Sequence, residues 1–283
     1  MHMRKVLASL FLLLILFPQL LKSQSREIGI MVGFSGYKGD LNPQMFNKKL
    51  IRPALGIQYR RCYSNHWSFR SGLSLIKIEG NDALSEDPFQ LNRNLMFKSN
   101  IIEFHMGYEF NFFPYQTANP NTFFSPYLFG SIAVLRFNPK AELNGDWYAL
   151  QPLHTEGQGT ASLPDKKPYS RTTISLPFGG GIKLKFLKRF GVQVEVGVRK
   201  TYTDYLDDVS TTYADPTQIK KEYGKIASQL SDRSQEKATG GNTGRQRGNS
   251  TDKDWYYFAG VQLNYTLSKK YISICNPFKI KMH

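Results

Sequence analysis

An all-β fold is predicted: an eight-stranded antiparallel up-and-down transmembrane β-barrel with long extracellular loops and short periplasmic turns. Three observations lead there. Apolar residues recur at every second position in eight separate segments, which is the period of a strand. The links between those segments alternate long and short along the chain, as in a barrel with brief turns at one membrane face and large loops at the other. The residues in between are small, polar or of both charge signs, which suits a lumen just wide enough for side chains to fill it.

The chain opens with Arg4 and Lys5, an almost unbroken apolar run from Val6 to Leu21, and then Lys22-Ser23-Gln24. That is the layout of a secretory signal peptide over residues 1–23. Pro18 interrupts a stretch already short for a membrane helix, so an uncleaved anchor fits less well. Residues 24–267 are expected to form the barrel and residues 268–283 a basic periplasmic tail. Of the 283 residues, 41% are hydrophobic and 21% charged, with a formal net charge of +15. Cleavage would remove three bases and no acid, leaving the mature chain basic. Its mean hydropathy of −0.40 argues against a bundle of membrane helices, each of which needs about 20 apolar residues.

Strand one, residues 28–35, turns Ile28, Ile30, Val32 and Phe34 to one face, and strand two, 54–62, does so with Leu55, Ile57 and Tyr59. Strand three, 67–78, carries Trp67, Phe69, Leu73 and Leu75. In strand four, 100–113, Ile102, Phe104, Met106, Tyr108, Phe110 and Phe112 oppose Glu103, His105, Gly107, Glu109 and Asn111, a sorting no helix would give. Strand five, 127–137, is read with Tyr127, Phe129, Ala133, Leu135 and Phe137 toward lipid. Strands six, 174–186, and seven, 190–200, follow with Ile174 to Phe186 and the β-branched row Val192, Val194, Val196 and Val198. Strand eight, 255–267, carries Tyr257, Val261, Leu263, Tyr265 and Leu267. In a soluble sandwich the second face would be solvated. Here Glu103, Glu109, Arg136, Lys183, Glu195 and Arg199 are expected to pair across a closed lumen, with Trp67, Phe112, Phe113, Tyr127, Phe186, Phe190, Trp255 and Tyr265 as interfacial girdles.

Long links cover about 36–53, 79–99, 138–173 and 201–254; the short ones are 63–66, 114–126 and 187–189. In the fourth long loop, Asp215-Pro216-Thr217-Gln218 reads as a helix start. Ile219, Tyr223, Ile226 and Leu230 follow on one stripe, predicting a short amphipathic helix. Residues 240–250, GGNTGRQRGNS, read as disordered, with solvated arginines. Gly179-Gly180-Gly181 lies within a strand and reads as a bend or as crowding against a bulky lumen residue rather than a nucleotide cradle.

A search for catalytic chemistry returns little. The five histidines form no His-Glu-x-x-His pair, and there is no Gly-x-Ser-x-Gly elbow. His105 with Glu103 reads as a buried hydrogen-bond network more readily than as an acid/base pair. Asp204, Asp207 and Asp208 lack the spacing of an EF-hand loop, and turn capping explains them with less. No catalytic residue, cofactor or metal is expected. Cys62 and Cys275 allow one disulfide at most, which their placement on the same side permits.

Three stretches carry a resemblance: residues 125–160 (SPYLFGSIAVLRFNPKAELNGDWYALQPLHTEGQGT), 177–185 (PFGGGIKLK) and 195–215 (EVGVRKTYTDYLDDVSTTYAD). The chain resembles the PorG family, outer-membrane barrel components of the type IX secretion and gliding machinery of Bacteroidota. The resemblance implies a non-enzymatic role in protein export at the cell outer membrane. It also implies contact with periplasmic ring proteins and with other components of the secretion machinery, while the apolar strand faces predict contact with outer-membrane lipid and the solvated arginines predict none with nucleic acid. It carries Asn144, Gly145, Asp146 and Trp147 of the third loop, and Asp204, Tyr205, Asp207 and Asp208 of the fourth, as interaction residues, with loop–loop packing as their expected role. Residues 220–254 depart from the family's pattern and receive no role from it. The alternatives are a small outer-membrane pore or a lipid-active barrel enzyme.

Overall fold

The computed structural model describes residues 25–115, 123–239 and 241–267. The expected signal peptide, the tail of residues 268–283 and Cys275 lie outside them. Eight long strands form the wall: β1 (Ser25–Lys38), β2 (Arg52–Cys62), β3 (Trp67–Asn81), β4 (Met96–Asn111), β5 (Phe124–Arg136), β8 (Thr172–Lys185), β9 (Phe190–Thr201) and β10 (Trp255–Thr266). Each pairs antiparallel with its neighbours in the order β3-β2-β1-β10-β9-β8-β5-β4, and β3 pairs with β4 to close the ring. Closure leaves no wall strand with an open edge.

Period-2 patterning sets which side chains face where. Ile30 lies opposite Ile57 on one side and Leu263 on the other, and all three are about half exposed. The same outward apolar row runs through Leu73, Leu75, Ile102, Phe104, Ile182, Val194 and Val196. Inside, Glu27, Arg60, Arg70, Glu103, Glu109, Lys183, Glu195 and Arg199 are buried. An apolar exterior around a charged, buried interior is the reverse of a water-soluble fold and is the surface of a transmembrane barrel.

β5 faces the opposite way from the sequence expectation. Tyr127, Phe129, Ala133 and Leu135 point inward and are buried, as is Phe137 just beyond the strand, while Leu128, Ile132, Val134 and Arg136 face out. Tyr127 therefore leaves the girdle and Arg136 leaves the lumen. The reason lies on the adjoining strands. Tyr127 sits beside Gly181, and Phe129 beside Gly179, which itself pairs with Gly197. A Cβ on Gly181 would come 2.9 Å from the Tyr127 ring, and one on Gly197 would come 2.6 Å from Phe129. The glycines make the space these two aromatics occupy.

The loop-side mouth is closed by an apolar cluster that includes Leu41, Ile78, Leu95, Phe97, Leu135, Phe137, Leu150, Leu206, Val209, Leu230 and Phe258. Four long loops contribute to it or cover it. The second holds helix α1 (Pro88–Arg93), started by the Asp87 cap. The third contains a hairpin absent from the sequence reading, β6 (Pro139–Leu143) and β7 (Asp146–Ala149), joined to the wall through Lys98 opposite Lys140. Asn144 at φ 55° and Gly145 at φ 91° provide the two left-handed residues of a tight hairpin turn.

In the fourth loop the expected helix is two, α2 (Pro216–Tyr223) and α3 (Lys225–Ser231), with Gly224 at φ 92° between them. Residues 241–250 are ordered rather than disordered. Gly248 donates its N–H to the Thr211 carbonyl at 2.9 Å, and Arg247 is buried instead of solvated.

Candidate functional site

Two polar assemblies are stacked along the barrel axis, one in the lumen and one in the lid. In the lumen, strand alternation sends Glu109 of β4 among three cations: Arg60 at 2.7 Å, Lys183 at 2.6 Å and Arg70 at 3.3 Å. Arg60 also meets Glu27 at 2.7 Å, and Arg70 meets Glu195 at 2.8 Å. Tyr127 donates to Glu195 at 2.7 Å, Gln193 lies 2.5 Å from Arg60, and the Arg70 guanidinium stacks over Phe129 at 4.1 Å. Nearer the loops, Glu103 accepts from the Tyr256 hydroxyl and lies 3.6 Å from Arg199. His105 Nδ1 is 3.5 Å from Glu103 within this sealed space. Buried charges persist where geometry and further hydrogen bonds compensate them, and here the partners come from strands all round the barrel.

The lid is built on the segment from Thr203 to Thr211. Asp207 takes the Tyr37 hydroxyl at 2.5 Å and the Val209 N–H at 2.9 Å. The same hydroxyl lies 3.1 Å from Asp254, which accepts the Leu206 N–H at 2.9 Å. Asp208 accepts from Thr155 and, at 2.7 Å, from Tyr169 of the third loop. Glu156, also of the third loop, accepts the N–H groups of Ser210 at 2.8 Å and Thr211 at 3.1 Å. Arg247 reaches Glu156 at 3.2 Å and donates to the Asp208 carbonyl at 2.6 Å and the Ser231 carbonyl at 3.1 Å. Arg93 of α1, paired with Asp82 at 2.7 Å, donates to the Arg247 carbonyl at 2.7 Å. Loops two, three and four are thereby stitched together, and Asp40 ties in the first by accepting the Asn249 N–H at 3.0 Å.

Burial governs the lid's acids. It pushes Asp204 up to about 7 and Asp208 up to about 6, the latter against the pull of Arg247. Burial and the adjacent Asp254 drive Asp207 upward as well. Burial acts in the same sense on Glu156, yet Arg247 and Lys166 outweigh it and hold that carboxyl below its ordinary value.

The residues singled out from sequence separate into two places. Asp204, Asp207 and Asp208 are buried in the lid, with Tyr205 half-buried and stacked on Tyr169 at 4.6 Å. Asn144, Gly145, Asp146 and Trp147 form the exposed tip of the β6–β7 hairpin, where Lys98 stands 4.4 Å over the Trp147 ring. The two sets do not meet. Packing between loops is thus the arrangement of the fourth-loop residues, while the third-loop set projects from the molecule. Sequence reasoning missed Glu156 and Arg247. His154 stacks on Tyr223 at 4.3 Å. Cys62 is buried at the end of β2.

A family model described as "Domain of unknown function (DUF6089)" matches residues 4–234. No curated protein matches the sequence. Among solved structures, the chain is similar to Neisserial surface protein A at 7% identity, covering 86% of this chain and 98% of that one, with a TM-score of 0.42. It is also similar to the attachment invasion locus protein Ail of Yersinia pestis (12% identity, 86% and 100% covered, TM-score 0.38). A third is the outer membrane protein OprG of Pseudomonas aeruginosa (9% identity, 86% and 97%, TM-score 0.35).

Proposed function

We propose that this chain, which belongs to the DUF6089 family, is a non-enzymatic outer-membrane barrel that serves as a fixed component of the type IX protein secretion and gliding machinery. The observation that carries the reading is the filled lumen. Glu109 and its three cations occupy the bore, and the lid covers it, so transport through this barrel would first require breaking a dense ion-pair network. What remains for function is the outer surface, with the hairpin tip at Asn144–Trp147 and the periplasmic turns, together with residues 268–283 outside the described residues. The apolar exterior supports placement in a bilayer, and the N-terminal signal-like segment supports export to the outer membrane. The three resembling stretches support the secretion machinery as the setting, with the periplasmic ring as the partner.

The test is crosslinking in intact cells from a photoreactive residue at Trp147 and from a second one within 268–283, followed by identification of the attached proteins. The expected result is recovery of ring or translocon components from at least one position. Deletion of residues 268–283 should leave a folded barrel and weaken its co-purification with the ring. Recovery of lipid alone from both positions, together with unchanged co-purification after the deletion, would overturn the reading.

A further inference from the structure

The outward rows of the wall strands end differently at the two rims. At the turn side six of the eight rows end in aromatic residues, Trp67, Phe112, Phe124, Phe186, Phe190 and Tyr265, and the rows of β1 and β2 end in Arg26 and Arg61. Several of these rings touch, with Trp67 5.0 Å from Phe110, Phe110 5.5 Å from Phe112, and Phe190 5.1 Å from Tyr265. At the loop side five of the eight rows carry a base at or near their end. Lys77 follows Leu75 on β3, Arg136 follows Val134 on β5, and Lys200 follows Val198 on β9, each two residues beyond its apolar neighbour and each exposed. Lys38 ends the outward row of β1 and Lys98 that of β4 near its start, both exposed. The single acid on the outward rows of the described wall strands is Glu79, held by Arg52 at 2.5 Å. Five cations thus stand just past the hydrocarbon belt on five of the eight strands, and Trp255 lies between Lys38 and Lys200 in register.

We propose that this loop-side rim is a binding surface for the phosphate groups of lipid headgroups in the leaflet facing the loops. The inference rests on the membrane-spanning reading above. Long basic side chains lay their methylene stems along apolar surface and hold the charge at headgroup depth. Each base near an anionic leaflet strengthens attraction to it. Acyl chains of the same lipid would lie on the rows beneath, beside Phe34, Leu75, Val134 and Val196. An acidic protein would need only the charges; a phosphorylated lipid needs the charges and the apolar rows together, and the rim offers both.

The experiment uses the full chain in nanodiscs of phosphatidylcholine containing a diphosphorylated glycolipid or its dephosphorylated form. Retained lipid is counted by native mass spectrometry after transfer to detergent, and folding is checked by the heat-dependent gel shift of a closed barrel. The wild type is expected to retain the phosphorylated lipid and to release the dephosphorylated one. Lys200→Gln should weaken retention about fivefold, and the combination K38Q, K77Q, R136Q and K200Q by more than about tenfold. The same four positions changed to the other base, Lys to Arg and Arg to Lys, should restore it. Equal retention of both lipids by the wild type, or undiminished retention by the folded four-position Gln variant, would overturn the inference. Failure of the wild type to enter either nanodisc would overturn the membrane-spanning reading, and the inference with it.

Discussion

Glu156 accepts two backbone N–H groups and faces both Arg247 and Lys166. Removing Arg247 takes one of two cations from Glu156 and unties the Asp208 and Ser231 carbonyls it serves. Arg247→Ala is expected to cost about 1.5–3 kcal/mol of lid stability, seen as protease nicking within residues 203–250 while the wall strands stay protected. Asp204 and Asp208 make the lid pH-dependent in a defined sense. Their folded values, about 7 and about 6, lie above the ordinary 3.8. Their contribution is complete below that ordinary value and is lost as pH rises through 6 and 7. Glu156 acts oppositely: its contribution is present above about 4.5 and lost as pH falls through its lowered value. Lid amides of residues 203–211 should thus show higher exchange protection factors near pH 5 than at pH 8. Equal protection would contradict the assignment. Asp207 and Asp208 were legible as turn-forming acids from their local sequence. Arg247 was not, because its partner Glu156 lies 91 positions away and its own neighbours, glycine, asparagine and serine, are those of a solvated loop.

At the scale of the element, seven of the eight wall strands face as their alternation predicts, because their two faces differ in polarity. β5 does not have that difference. Leu128, Ile132 and Val134 are as apolar as Tyr127, Ala133 and Leu135, so period alone leaves its phase open. The information lay on other strands, in the inward glycines Gly179, Gly181 and Gly197, whose missing side chains match two aromatics of β5. Ile132→Arg, outward, should cost about 2–4 kcal/mol in barrel stability if it lies near the bilayer midplane. A cysteine at 135 should resist lipid-soluble maleimide, while one at 132 should react; the reverse pattern would restore the opposite facing. Gly197→Leu should destabilise by about 1–3 kcal/mol through overpacking against Phe129, measured by urea unfolding in lipid. The β6–β7 hairpin went unread, although Asn144-Gly145 between extended residues is a hairpin signal. Its strands are only five and four residues long, too short for alternation to announce them. The helix start at Asp215 was readable from its cap, and the break was marked by Gly224.

For the whole molecule, the lumen decides what the barrel does. Glu109→Gln leaves Arg60, Arg70 and Lys183 facing one another without their shared anion and is expected to cost about 3–5 kcal/mol, read as a lower urea midpoint. Planar-bilayer recordings of the wild type should show no steady conductance, whereas sustained openings would favour the pore alternative. The closed ring, the alternating link lengths and the charged interior were all readable because a membrane imposes a strict rule on each residue of a wall strand. The lid was largely unreadable, since its contacts join four loops far apart in sequence and obey no period.

The lumen's charges have a consequence for biogenesis. Glu109 belongs to β4, and its cations to β2, β3 and β8. β2, β3 and β4 adjoin in the chain, but Lys183 comes from β8 and Glu195, the partner of Arg70, from β9, so the full set of ion pairs exists only in the closed barrel. Insertion and ring closure are therefore expected to be coupled, and a chain arrested before β1 pairs with β10 should remain outside the bilayer.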